Sequence, residues 1–133
     1  MSQENVEQYH RVTDALNRHD LDAVLALTDP EVEFIARLVE VDGGGSYRGH
    51  DGLRSWWESL FGVFPDFKLE IADVRDFGDV IVAQVRMSGQ GIASEAATAQ
   101  ISWAVTEWRG GKIIWMRNCQ SETEALEAAG LRE

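Results

Sequence analysis

Hydrophobic residues recur at helical spacing in the first part of the chain. They occupy every third or fourth position: Val6, Tyr9, Val12 and Leu16. This spacing predicts an amphipathic helix over residues 3–18. A second, shorter helix is predicted to follow, with Asp20 as its N-cap and Asp29-Pro30 immediately after its end.

The middle of the chain predicts a strand, a loop and a long helix. Apolar and polar residues alternate over 32–38, three glycines follow at 43–45, and residues 46–48 are assigned to a short return strand. Asp51 is the expected N-cap of the next helix. Its apolar residues are Leu53, Trp56, Trp57, Leu60, Phe61 and Phe64. Pro65 ends it.

From Phe67 onward the hydrophobic pattern changes to a period of two. Strands are predicted over residues 67–77, 80–90, 98–109 and 112–121. Gly78 and the pair Gly110-Gly111 have the chemistry of tight hairpins, whereas residues 89–94 form a looser connection. Ser121 is the expected cap of a last helix that closes at Gly130. Helices followed by a long antiparallel meander indicate one α+β domain over residues 1–133.

The composition excludes several classes of partner and site. Acidic residues number 23 against 12 basic ones, for a net charge of -11, so no surface for nucleic acid or anionic membrane is expected. Cys119 is the single cysteine, which excludes an internal disulfide, and the three histidines lack metal-ligand spacing, so no metal is expected. The N-terminus has no signal pattern and no segment is long enough to span a bilayer, which predicts a cytoplasmic protein.

Four segments carry a resemblance to a known family. They are HDLDAVLALTDPEVEF, YRGHDGLRSWWESLFGVFPDF, EWRGGKIIWMR and EALEAAGL. In this order the chain resembles the SnoaL-like proteins, within the nuclear transport factor two and ketosteroid-isomerase-like superfamily. The resemblance implies a cone, in which a curved antiparallel sheet wraps over N-terminal helices and encloses a cavity. It also implies dimerisation through the sheet. Because members include isomerases, cyclases, hydrolases and binding-only subunits, the fold does not determine the chemistry.

Catalytic residues of the relatives are not matched here. In the register of ketosteroid isomerases, Val12 stands where their oxyanion-hole tyrosine would be. Phe34 and Ala104 stand in place of their two aspartates. Proton transfer and enolate stabilisation need those polar groups, so this chain does not resemble an isomerase of that type.

Two other enzyme patterns in the superfamily are also incomplete. Epoxide-hydrolase-like members use two aspartates with an arginine between them, whereas here Arg86 is flanked by Gln84 and Ser88. Polyketide cyclases place an acidic residue late in the sheet, where this chain has Asn118. The catalytic residues therefore remain unassigned, and no metal or organic cofactor is expected.

Strand alternation divides the predicted sheet into a polar set and an apolar set. The polar set contains Gln84, Arg86, Ser88, Gln100, Ser102, Thr106, Asn118 and Gln120, with Val82, Ala104, Trp108 and Met116 among them. The apolar set contains Ile81, Ala83, Val85, Met87, Ile101, Trp103, Val105, Ile113, Trp115 and Cys119. The pattern alone places the apolar set in the core. The resemblance instead directs the polar set into the cavity and leaves the apolar set to be covered by a second subunit.

Seven residues form the predicted ligand site. The expected polar anchors are Arg86, Gln84 and Asn118, the expected walls are Trp57, Phe34 and Trp108, and Tyr47 lies near the expected mouth with His50. Each has a structural alternative. Arg86 would be a surface residue paired with Glu95 or Glu107, the aromatic residues would be core packing, Tyr47 and His50 would form the helix entry, and Asn118 would belong to a polar sheet face.

Two functional hypotheses follow. In the first, the protein is a dimeric small-molecule-binding cone; if it is catalytic, it would be a cofactor-independent isomerase, cyclase or hydratase acting on a carbonyl-bearing or polycyclic compound. In the second, it is a non-catalytic dimerisation or interaction module with a vestigial cavity. Open volume beside polar anchors favours the first hypothesis, and a cavity filled by Trp57, Trp108 and Met116 favours the second.

Overall fold

The computed structural model describes residues 2–35, 46–89 and 100–132 and confirms an α+β fold. Its helices are α1 (Ser2–Asn17), α2 (Leu21–Ala26), α3 (Gly49–Val63) and α4 (Glu122–Arg132). Its strands are β1 (Thr28–Ile35), β2 (Ser46–Arg48), β3 (Lys68–Asp76), β4 (Val80–Ser88), β5 (Gln100–Arg109) and β6 (Lys112–Cys119).

The strands form one curved, open sheet in the order β2-β1-β6-β5-β4-β3. Strands β3 to β6 are an antiparallel meander, as the period-two pattern predicts. β1 pairs parallel with β6 and antiparallel with β2, which confirms the short return strand. β1 begins at Thr28, earlier than predicted. The predicted continuation of this strand over 36–38, the glycine loop at 43–45 and positions 90–94 lie outside the described residues.

Two of the three expected helix caps are present. The Asp20 carboxylate accepts a hydrogen bond from the Ala23 backbone N–H at 3.1 Å, and the Ser121 hydroxyl accepts one from Glu124 N–H at 3.1 Å. The cap expected at Asp51 is wrong, because α3 begins two residues earlier, at Gly49. The positive φ of Gly49 (72°) allows the chain to turn into the helix there.

The two faces of the sheet are covered by different helices. α1 and α3 pack on the inner face, which contributes Val32, Ile81 and Val85 to the core. α4 packs on the outer face through small side chains: Ala125, Ala128 and Ala129. These alanines allow α4 to approach the sheet closely, and they bury Val80, Val82 and Val105.

The predicted sheet faces are wrong for β4 and for Ile113 on β6, which lies opposite Trp108 and shares its face. Gln84 lies opposite Trp103, and Val85 lies opposite Ser102, in the β4–β5 ladder. Residues directly opposite each other in a ladder share a face. Gln84 and Arg86 therefore project from the outer face, with Trp103 and Ile101, and not from the face of Ala104 and Asn118.

Of the described residues, no helix is long and apolar enough to cross a membrane. Within the same ranges, no group of three or more His, Cys, Asp or Glu side chains is placed to hold a metal ion.

Candidate functional site

A cavity of about 80 Å³ lies between the inner face of the sheet and helices α1 to α3. α1 contributes Tyr9, Val12, Thr13 and Leu16 to its wall, and α3 contributes Leu53 and Trp56. The sheet contributes Val32, Phe34, Leu69, Val85, Met87, Ala104, Ile113, Met116 and Asn118. The wall is therefore mostly apolar.

Three polar residues of the wall have their hydroxyl groups hydrogen-bonded to one another or to the backbone. The Tyr9 and Thr13 side chains are hydrogen-bonded on α1 and are both buried. Burial raises the pKa of Tyr9, and the smaller effect of the Thr13 hydrogen bond lowers it. The Thr28 hydroxyl donates a hydrogen bond to the Val24 carbonyl at 2.7 Å. Tyr9 therefore stays a neutral phenol at ordinary pH.

Trp56 differs from these residues because its polar atom has no partner. Its side chain is 9% exposed, and among the described residues no group accepts a hydrogen bond from its buried Nε1–H. The Phe34 ring meets the indole edge to face, with the ring centroids 4.8 Å apart and the planes at 82°. This contact holds the indole in place at the cavity wall.

Phe34 and Asn118 are the two predicted site residues that line the cavity. Phe34 is buried on β1, and Asn118 is half-buried on β6 beside Ala104. Tyr47 lies opposite Phe34 across β1 and β2, with the ring centroids 6.2 Å apart, and belongs to the packing around the cavity rather than to its lining. His50 Nε2 is 2.8 Å from the Thr28 carbonyl oxygen, a contact that fixes the entry to α3.

Two predicted aromatic walls lie elsewhere. Trp57 is half-buried and packs against Phe61, with the ring centroids 4.8 Å apart. Trp108 is 2% exposed and donates its indole N–H to the Thr106 hydroxyl at 2.8 Å. Neither side chain lines the cavity.

The predicted polar anchors on β4 also lie outside the cavity. Arg86 is exposed on the outer face, between Glu70 on β3 and Ile101 on β5. Gln84 is half-buried on the same face, between Asp73 and Trp103. The β4 residues that reach the cavity are instead Val85 and Met87.

The cavity contains residues that the sequence analysis did not select. Tyr9 occupies the apolar stripe of the first helix, and a phenol at such a position is a signal of a buried hydroxyl. Trp56 is separated from Leu53 by three positions and from Leu60 by four, which is the spacing of the buried stripe. Trp57 lies one position farther round the helix.

The described wall offers apolar contacts and a few hydrogen-bonding groups. Among the described lining residues, Tyr9 is the one side chain that titrates, and the lining includes no carboxylate, imidazole, ammonium or guanidinium group. Hydrogen bonds can be offered by Trp56 and by the Asn118 amide, which both donates and accepts. The arrangement suits a molecule that is mostly apolar and has few polar atoms.

Comparison with known proteins identifies relatives of this fold. The family model described as a SnoaL-like domain matches residues 6–116. The comparison with curated proteins gives no match.

Several solved structures share the fold at low sequence identity. One is TerC co-crystallised with polyporic acid, with 17% identity, a TM-score of 0.78, and coverage of 96% of this chain and 98% of TerC. Another is a putative SnoaL-like polyketide cyclase from Jannaschia sp. CCS1, with 20% identity, a TM-score of 0.74, and coverage of 96% and 92%. A third is an uncharacterised cystatin-fold protein from Novosphingobium aromaticivorans, with 21% identity, a TM-score of 0.70, and coverage of 89% and 97%.

Proposed function

Since the chain belongs to the SnoaL-like family, we propose that its cavity binds a small, neutral organic molecule. The observation that carries this proposal is the apolar cavity between the sheet and α1 to α3. Apolar wall atoms gain contacts and lose no hydrogen bonds when a hydrophobic molecule fills the space. The co-crystallisation of the similar TerC with polyporic acid supports binding of an organic compound by this fold, and the neutrality of the ligand rests on the wall of this cavity.

The volume limits the size of the ligand. An apolar cavity of roughly 150 Å³ holds benzene, and the cavity here is about 80 Å³. A compact monocyclic or short aliphatic compound is therefore the better match, and a polycyclic compound would require the walls to move. Met87 and Met116 are the wall residues best suited to small adjustments, because unbranched methionine side chains change rotamer readily.

The charge of the wall favours a neutral ligand. A buried carboxylate without a partner is strongly disfavoured in an apolar environment. The exposed position of Arg86 on the outer face does not provide a partner for an anion in the cavity. We therefore propose binding of a carbonyl-bearing or hydroxyl-bearing molecule rather than an acid.

Binding rather than catalysis is the role that the wall supports. Isomerisation, cyclisation or hydration requires a group that takes or gives a proton near its own pKa. Tyr9 is the titrating side chain of the described lining, and burial raises the pKa of Tyr9 away from neutrality.

The cavity proposal is tested by filling the space. Ala104→Leu adds a large side chain to the wall, whereas Ala72→Leu makes the same change at an exposed bulge of β3. The probes are cyclopentanone and its isostere methylenecyclopentane, followed by ligand-observed NMR and calorimetry. We expect at least one probe to bind the wild type and the Ala72 variant, and affinity to fall about tenfold or more in the Ala104 variant. Absence of binding by both probes in the wild type would overturn the proposal.

A second proposal concerns the outer face, where the exposed fraction of Ile101 is 45%. We propose that this face pairs with a second copy of the chain. Glu70 and Arg86 lie opposite each other in the β3–β4 ladder, so a twofold axis can place each charge near the opposite charge of the other copy. Trp103 lies beside them on β5, with the Arg75 guanidinium 5.9 Å from the ring centroid.

Sedimentation of the wild type and two variants tests this pairing. We expect a species of about twice 14.9 kDa for the wild type. Ile101→Asp should shift it to the monomer, because the substitution buries a charge in the pairing face. Leu126→Asp changes an exposed residue of α4, with 38% exposure, and should leave the dimer intact. A wild-type monomer, or equal effects of the two variants, would contradict the proposal.

A further inference from the structure

The indole of Trp56 combines two features: its side chain lines the cavity, and its N–H is a buried donor without an acceptor among the described residues. The side chain is 9% exposed. Another buried indole provides a contrast within the same fold, because Trp108 Nε1–H donates to Thr106 at 2.8 Å. A buried donor without an acceptor is disfavoured. Without a ligand, the Trp56 indole therefore lacks one hydrogen bond.

The neighbouring polar groups do not provide an acceptor for the Trp56 N–H. The Tyr9 and Thr13 hydroxyls bond to each other, and the Thr28 hydroxyl bonds to the Val24 carbonyl. The remaining polar side chain of the described lining is Asn118, which is half-buried on β6. A buried water needs two to four polar partners, which a largely apolar wall does not supply readily.

We propose that Trp56 donates its indole hydrogen bond to a carbonyl or hydroxyl oxygen of the bound molecule and so determines the specificity of the cavity. This inference rests on the proposed binding function. It predicts that an oxygen-bearing ligand is selected over an apolar ligand of the same shape. The selection arises because an apolar isostere leaves the Trp56 donor buried and unpaired.

The test compares two probes that differ in a single group. Cyclopentanone has a carbonyl oxygen where methylenecyclopentane has a CH₂ group, so the ratio of their dissociation constants reports the hydrogen bond with little contribution from shape. We expect the preference for the ketone to fall about tenfold in Trp56→Phe, because phenylalanine keeps an aromatic ring and removes the donor. Trp57→Phe is the matched control on the adjacent, non-lining position and should preserve the preference.

A spectroscopic measurement on the wild type covers the case in which Trp56→Phe does not fold. The assigned indole ¹H–¹⁵N signal of Trp56 should move downfield with cyclopentanone and not with methylenecyclopentane. If the probes bind but the preference is the same in both variants, or the signal responds equally to both probes, the role of Trp56 is overturned and cavity binding stands. If neither probe binds the wild type, the binding function itself fails.

Discussion

Gln84 lies directly opposite Trp103 in the β4–β5 ladder, and both side chains project from the outer face of the sheet. Their chain neighbours Val85 and Ser102 face inward, and Val85 is 1% exposed at the cavity wall. Arg86 is exposed, two residues from Gln84 on the same face. The contribution of β4 to the cavity is therefore apolar.

Arg86→Ala is expected to leave both stability and cavity binding nearly unchanged. At a protein concentration at which the chain is monomeric, the free energy of unfolding should change by less than about 0.5 kcal/mol, as for ordinary surface substitutions. The affinity for cyclopentanone should stay within about twofold of the wild type, a difference below roughly 0.5 kcal/mol. Urea unfolding and calorimetry measure these two quantities.

Val85→Ala is the comparison for Arg86→Ala, because Val85 faces inward on the same strand. Truncating this buried side chain should cost about 2 kcal/mol, from lost burial and the enlarged cavity. A large loss of cyclopentanone affinity in Arg86→Ala, with binding retained in Val85→Ala, would contradict the assignment of the faces.

The register of β4 shows where sequence reasoning fails in this fold. The alternation within each strand follows from its period of two, and the inward positions of Ala104 and Asn118 on β5 and β6 are as predicted. The relation between β4 and β5 depends instead on the connection between them, and a shift of one residue reverses every side chain. Residues 89–99 carry no local signal that fixes this shift. The resemblance directs Gln84 and Arg86 into the cavity, which is wrong, and the alternative of an exposed Arg86 is the one observed.

Local signals were more successful than relations between elements. The Asp20 and Ser121 caps were predicted because a cap depends on a few adjacent residues. The choice between Trp56 and Trp57 required the phase of α3 relative to the cavity, which a broad aromatic stripe leaves open. Phe34 lines the cavity, and its role in binding stays a proposal.

Thr106→Val is expected to destabilise the protein by about 2 kcal/mol, because it leaves a buried donor unpaired. Thr106 is fully buried and accepts the Trp108 indole hydrogen bond at 2.8 Å. Valine has nearly the same shape as threonine, so the loss of stability measures the contribution of the hydroxyl group. Urea denaturation of the wild type and the variant measures it.

A double-mutant cycle separates this hydrogen bond from other effects of the threonine. In a Trp108→Phe background the donor is absent, and Thr106→Val should then cost less than about 1 kcal/mol. Equal costs in the two backgrounds would show that the hydroxyl acts independently of Trp108.

Ser121→Ala is expected to reduce the free energy of unfolding by about 1 kcal/mol through loss of the α4 cap. The Ser121 hydroxyl accepts from Glu124 N–H, and the Glu124 carboxylate accepts from Gln120 N–H at 3.0 Å, so two backbone donors depend on this short segment. Ser121→Asp preserves an acceptor and should retain most of the stability. Thr123→Ala, at an exposed position in the first turn, is the control. A cost as large for Thr123→Ala as for Ser121→Ala would argue against the cap.

Tyr9→Phe is expected to remove part of the alkaline sensitivity of the fold. Burial raises the pKa of Tyr9 in the folded state above its ordinary value of about 10. The unfolded chain therefore loses this proton first as the pH rises, and it binds fewer protons than the folded chain above about pH 10. The Tyr9 contribution to stability is constant below that pH and falls above it, by up to about 1.4 kcal/mol per pH unit.

Urea unfolding at about pH 8 and about pH 11 measures this loss, since the window begins near the unfolded pKa of tyrosine. The difference between the wild type and Tyr9→Phe isolates Tyr9 from other groups that titrate in the same range. Thr13→Val is the control, because it removes the hydrogen-bond partner but keeps the buried phenol. It should cost about 1 kcal/mol at both pH values and preserve the alkaline loss. An equal alkaline loss in the wild type and Tyr9→Phe would mean that the Tyr9 hydroxyl ionises in the folded protein, which would require water to reach this wall of the cavity.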